Sequence, residues 1–171
     1  STPLYSSAAS DVYNRQKLCA GMSEGDAVKE YLAVVHGVPE NQTGDYRDFL
    51  LHDPVKNRTE AVSVPHEKAK EASLSYRLID TVTAEERFSL LLIRLHTGRT
   101  HQIRAQLSSR GMPVAGDGKY GAHDRCGLAL WSYRLTFRHP VTKKKLVFAE
   151  WPEKTMPWNL FADMGIRSEE I

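Results

Sequence analysis

"FSLLLIRLHTGRTHQIRAQL", residues 88–107, carries the most apolar run of the chain straight into its most polar corner. Residues 88–95 have the length and aliphatic make-up of a buried strand. Residues 95–104 then pack two arginines, two histidines, two threonines and a glutamine into one short stretch. A helix is expected behind that corner. Thr100 is its N-cap, Ile103 and Leu107 form an i,i+4 apolar pair, and Gly111 stands where a helix-ending glycine belongs.

Outward from this junction the chain is rich in strands. "EASLSYRL" (71–78) has a period of two, with Ala72, Leu74, Tyr76 and Leu78 on one face and Glu71, Ser73, Ser75 and Arg77 on the other. A turn near "TAEER" joins it to 88–95. "VKEYLAVVHG" (28–37) reads as a buried strand ended by Gly37 and Pro39, and "TEAVSV" (59–64) alternates up to Pro65. Residues 40–58 are polar and read as irregular, anchored by "FLL" at 49–51. Residues 128–152 read as a hairpin turned by "HPVT". In its first strand Ala129, Trp131, Tyr133, Leu135 and Phe137 share one face. A short amphipathic helix is expected over 6–18, and "GDGKYGA" (116–122) is a glycine-rich loop. Strands with few helices between them indicate an α+β fold, its sheet mixed but mostly antiparallel, with a few flanking helices in a single domain over 1–171.

At 171 residues the chain suits one compact domain. No apolar run approaches the ~20 residues that cross a bilayer, and "STPLYSSAAS" lacks the pattern of a secretory signal. Two cysteines, Cys19 and Cys126, make no disulfide framework. They read as unpaired packing residues of a reduced, cytoplasmic protein. Net charge is only +2, yet cations concentrate between Arg94 and Lys145, where Asp117 and Asp124 are the sole acids. That half can hold a polyanion if its charges share a face. A solvated surface balanced by acids elsewhere fits composition equally well.

Local spacing reads the polar corner first as a turn with His96 and His101 on the surface. Metal binding fits poorly, because no carboxylate or cysteine stands near these histidines to complete a ligand set. "GDGKYG" lacks the spacing of a Walker loop, and Asp117 is expected to hold that loop by bonding its own backbone. Helix geometry adds a third reading. His101 and Arg104 lie three apart on one face, and an arginine rooted on a packed helix needs a carboxylate or phosphate partner.

"RLHTGRTHQIRAQLSSRGMPVAGDGKYGA" (94–122) resembles the signature of the RluA-type RNA pseudouridine synthases. Four flanking blocks carry the likeness further: "VKEYLAVVHGVP" (28–39), "KEASLSYRLI" (70–79), "LALWSYRLTFRHPVT" (128–142) and "PWNLF" (157–161). The resemblance implies isomerisation of a uridine within RNA, without metal or other cofactor. The uracil leaves C1′ of its ribose, turns, and rejoins through carbon 5. In the family an aspartate acts first, an aromatic residue lies against the target base, and an arginine or lysine pairs with the aspartate. By motif, Tyr31 is the aromatic residue and a candidate for proton transfer from carbon 5. Arg104 is the aspartate's partner, and Leu130 lines the uracil pocket. Arg99 and His101 are candidates for RNA contact.

The family's "HRLD"-like motif, which carries the aspartate, is absent from this sequence. Asp11 and Asp26 lack its flanking residues. The expectation is therefore the C-terminal portion of a catalytic domain, inactive alone, with its nucleophile supplied by upstream sequence and with Arg104 facing the seat for that carboxylate. Upstream sequence of the same domain is then a partner, and ribosomal or transfer RNA the substrate. A non-catalytic RNA-binding paralogue or subunit is the alternative.

Overall fold

A computed structural model describes residues 27–63, 67–139 and 141–161. The helix expected over 6–18 lies outside these residues, as do Asp11, Cys19 and Asp26. Seven strands form one sheet: β1 (Val28–His36), β2 (Thr43–Asp53), β3 (Arg58–Val62), β4 (Lys70–Thr83), β5 (Arg87–Leu95), β6 (Leu130–Arg138) and β7 (Lys145–Ala149). Their order is β3-β2-β4-β5-β1-β6-β7, and every pairing among them is antiparallel. One helix, α1 (Gln102–Ser108), follows β5.

The apolar run of residues 88–95 lies in β5, the centre of this sheet. Leu90 and Leu91 are successive residues of β5, point to opposite faces, and are both fully buried. Both faces of the strand are therefore covered, which is why it reads as continuous apolar sequence instead of alternating. Ala72, Leu74 and Tyr76 of β4 turn inward as their period demands. Ile103 and Leu107 of α1 join the same buried cluster as Leu74, Ile93 and Trp158. Cys126 is a free thiol, half-buried against that cluster.

Three expectations need correction. Residues 43–53 are not irregular but form β2, paired with β3 and β4. Thr100 is not the N-cap: His101 takes that place in a left-handed conformation (φ 52°), with no side-chain cap. The even alternation over 129–137 is broken by a bulge where β6 meets Glu30 and Tyr31. Trp131 pairs with Leu32 and Leu135 with Lys29, which places these two side chains on opposite faces. The glycine stop stands at Gly111, with φ 72°.

Candidate active site

The polar corner is a bonded structure. Buried Gln102 holds it together. Its Oε1 accepts from the Thr97 hydroxyl (2.8 Å) and the Arg99 amide (3.0 Å), and its Nε2 donates to the Ser73 carbonyl (3.0 Å). These bonds tie the end of β5 to β4 and aim α1 across the sheet. Deeper along the helix, buried Gln106 donates to Asp48 Oδ2 (2.7 Å), and Ala105 packs against Leu50 and Ala72. The helix thus lies over β3 and β2 and reaches β4 through Gln102 and Ala105.

Tyr31 is on the same face. Directly opposed residues of antiparallel strands share a side of the sheet, and one row runs Gly44, Tyr76, Ile93, Tyr31, Ser132. Tyr76 shares its face of β4 with Ala72, beneath α1. The next row places Leu91, Ala33 and Leu130 together. Tyr31 and Leu130 are therefore diagonal neighbours on one face, and both pack half-buried against the core. The Tyr31 hydroxyl makes no hydrogen bond among the described residues.

Arg104 differs from expectation. Its partner is in this chain: Nε donates to Asp117 Oδ2 (2.6 Å) and Nη2 to Oδ1 (2.7 Å), a two-pronged bond. The Asp117 side chain is 1% exposed. The same guanidinium lies over the Tyr120 ring, 4.8 Å from its centre. Asp117 does not spend its carboxylate on its own loop, as the sequence suggested. Backbone bonds hold the loop instead, from Asp117 to Val114 and from Tyr120 and Ala122 to Asp117. Gly116 (φ 75°) permits the approach, since a Cβ there would meet the Gly127 carbonyl oxygen at 2.2 Å. Hydrogen bonding to Asp117 raises the already high pKa of Arg104, against the opposing pull of burial.

His101 meets the same ring. Its Nδ1 is 3.2 Å from the Tyr120 hydroxyl. That hydroxyl donates to the Thr59 carbonyl and accepts from the Thr59 amide. Its proton is thus committed, and His101 Nδ1 is the donor. The neutral ring therefore leaves Nε2 as a free acceptor. Burial, then the charges of Arg104 and Lys119, lower the pKa of His101 and favour the neutral form.

The structure thus brings Tyr31 together with Leu130, and His101 together with Arg104 through Tyr120. It forms no hydrogen bond or ion pair between Arg104 and Tyr31. Arg99 stands apart, its Nε donating to the Glu71 carbonyl (3.0 Å). His96 bonds the Ser75 hydroxyl (2.6 Å) at the exposed end of β5. Sequence reasoning missed Asp117 and Tyr120 as Arg104's partners. The available signals were the acid that helix geometry asks for and the two acids, Asp117 and Asp124, in a stretch otherwise crowded with cations.

A family model described as RNA pseudouridylate synthase matches residues 8–109. An uncharacterized RNA pseudouridine synthase of Chlorobaculum parvum is 31% identical over 154 residues, covering 78% of this chain and 46% of the relative. A ribosomal large subunit pseudouridine synthase D of Zymomonas mobilis is 32% identical, over 80% of this chain and 45% of its own length. The chain spans less than half the length of these curated relatives. The fold is shared with human RNA pseudouridylate synthase domain containing 1, with a TM-score of 0.70 at 24% identity, covering 86% of this chain and 62% of that one. A match over most of the chain, on the elements that carry Tyr31 and Arg104, places this polypeptide in the RNA pseudouridylate synthase family.

Proposed function

We propose that this chain is the C-terminal part of the catalytic domain of an RNA pseudouridine synthase. It acts in the cytoplasm on uridine in structured ribosomal or transfer RNA, with its nucleophilic aspartate supplied by upstream polypeptide. The observation that carries this reading is the face shared by Tyr31 and Leu130, with the Tyr31 hydroxyl making no hydrogen bond among the described residues and α1 lying across the same face.

The reaction breaks the bond from C1′ to N1 and makes one from C1′ to carbon 5. A proton leaves carbon 5 and one is returned to N1, so nothing is oxidised or reduced. What the site must supply is a carboxylate nucleophile, a flat surface for an unstacked base, and a route for one proton. Tyr31 and Leu130 serve as that surface. Tyr31 acts first as a platform and passes the proton through a bridging water.

Arg104 offers the incoming aspartate its Nη1 edge, which bonds nothing among the described residues. Asp117 already balances much of the guanidinium charge. Arg104 therefore works as a donor of fixed direction more than as a free cation. Arg99 and the Nε2 of His101 reach the RNA around the target.

RNA carrying tritium at carbon 5 of uridine tests this, since the new bond displaces that hydrogen. The chain joined to a segment bearing an "HRLD" motif should release tritium. A Tyr31→Leu variant should release it at least about a hundredfold more slowly. If the joined protein binds RNA but releases none, the non-catalytic alternative replaces the enzyme.

A further inference from the structure

The hairpin of β6 and β7 ends in a group of cations that the site above does not use. Arg138 lies directly across from Lys145 in the strand pair, and Lys143 and Lys144 occupy the turn between them. All four are exposed, and none has an ion pair or side-chain hydrogen bond among the described residues. No acid occurs between Asp124 and Glu150 to balance them. Like charges directly opposed on two strands cost stability, so the fold gains nothing by placing Arg138 against Lys145.

Hydrogen bonds at His139 tie the turn that presents them. His139 Nδ1 accepts from the amides of Val141 (3.2 Å) and Thr142 (3.1 Å). The His139 amide donates to Lys144 O (2.8 Å), and the Lys143 amide donates to His139 O (2.9 Å). With Nδ1 an acceptor, the ring's Nε2–H remains as a further donor. Lysines often guard the outer strand of a sheet. That role covers Lys145 alone, because Lys143 and Lys144 are in the turn and Arg138 is on the inner strand.

We infer that this hairpin tip is a second RNA-contact surface, which grips the phosphate backbone of the stem flanking the target uridine. The inference rests on the function proposed above. From Ser132, the partner of Tyr31, to Arg138 the strand runs about 20 Å. The tip therefore cannot touch the flipped base. The bulge sets Arg138 and Lys145 on the face opposite Tyr31, so backbone flanking the base meets the tip first through Lys143 and Lys144 of the turn. Lysines on a short turn beside a strand-end arginine suit repeated phosphates, whose recognition is electrostatic and independent of sequence.

Binding of a labelled RNA stem-loop to the full chain, followed over a series of salt concentrations, tests this. The triple variant Lys143→Ala, Lys144→Ala, Lys145→Ala should lose about tenfold or more in affinity at low salt. Its slope of log affinity against log salt should shrink by roughly 2. The matching triple substitution to arginine should bind like the parent, and thermal melting should verify that both variants fold. Unchanged affinity and slope in the alanine variant would overturn the inference while leaving the proposed function standing. Failure of the parent to bind RNA at any salt would overturn both. Equal lysine dependence towards polyglutamate would mark the tip as a site for acidic protein and likewise overturn it.

Discussion

Arg104 and Asp117 are the pair on which the site's geometry turns. The carboxylate is sealed from water while the guanidinium is 17% exposed, so removing the acid leaves a mostly buried cation without its partner. Asp117→Asn is expected to cost about 3 kcal/mol, read as a lowered urea midpoint with unchanged m-value. Its neighbour His101 gives a pH signature. The folded state holds its pKa below the unfolded value, chiefly through burial. As pH falls through about 6.5, the unfolded chain takes up a proton that the folded chain resists. Stability should therefore fall with acidification in that window. Urea unfolding over a pH series should show this loss reduced in His101→Gln. The Arg104 partner was half legible in the sequence. Helix geometry demanded an acid, but a carboxylate thirteen residues on, in a loop with turn chemistry of its own, gives no sign of where it points.

Among the elements, β4 and β5 were legible because their periodicity is a direct record of burial. β2 was not. Its inward positions include Gly44, Tyr46 and Asp48, and Asp48 faces inward only because Gln106 and Arg110 bond it (2.7 and 2.9 Å). Arg110 also stacks on Tyr46, 3.9 Å from the ring centre. A strand whose inner face is satisfied by distant polar partners looks irregular until those partners are in place. Gly44 has its own reason. A Cβ there would lie 2.7 Å from the Tyr76 ring, so the tyrosine packs flat over bare backbone. Gly44→Ala should destabilise the protein by about 1–3 kcal/mol, measured by chemical denaturation, by displacing the ring that shares a row with Tyr31. The bulge in β6 was equally hidden, since an extra residue in one strand leaves composition untouched while it sets Trp131 and Leu135 on opposite faces.

At the scale of the whole molecule, the antiparallel sheet is a platform with two uses. One face carries Tyr31, Leu130 and the helix that holds Arg104. The far hairpin carries the unbalanced cations that account for much of the basic half noted in the sequence. The general architecture followed from strand patterning, and the expected chemistry from the resemblance to the family. The internal partner of Arg104 needed three dimensions. The central claim is that Arg104, aimed by Asp117, orients a carboxylate nucleophile for attack on uridine. Tritium release from carbon 5 by the chain joined to an "HRLD" segment, compared between parent and Arg104→Ala at saturating RNA, tests it most directly. The account predicts a fall in kcat of about a hundredfold or more with RNA affinity little changed. An Arg104→Ala rate within about twofold of the parent, well inside the loss expected for one such donor, would contradict it.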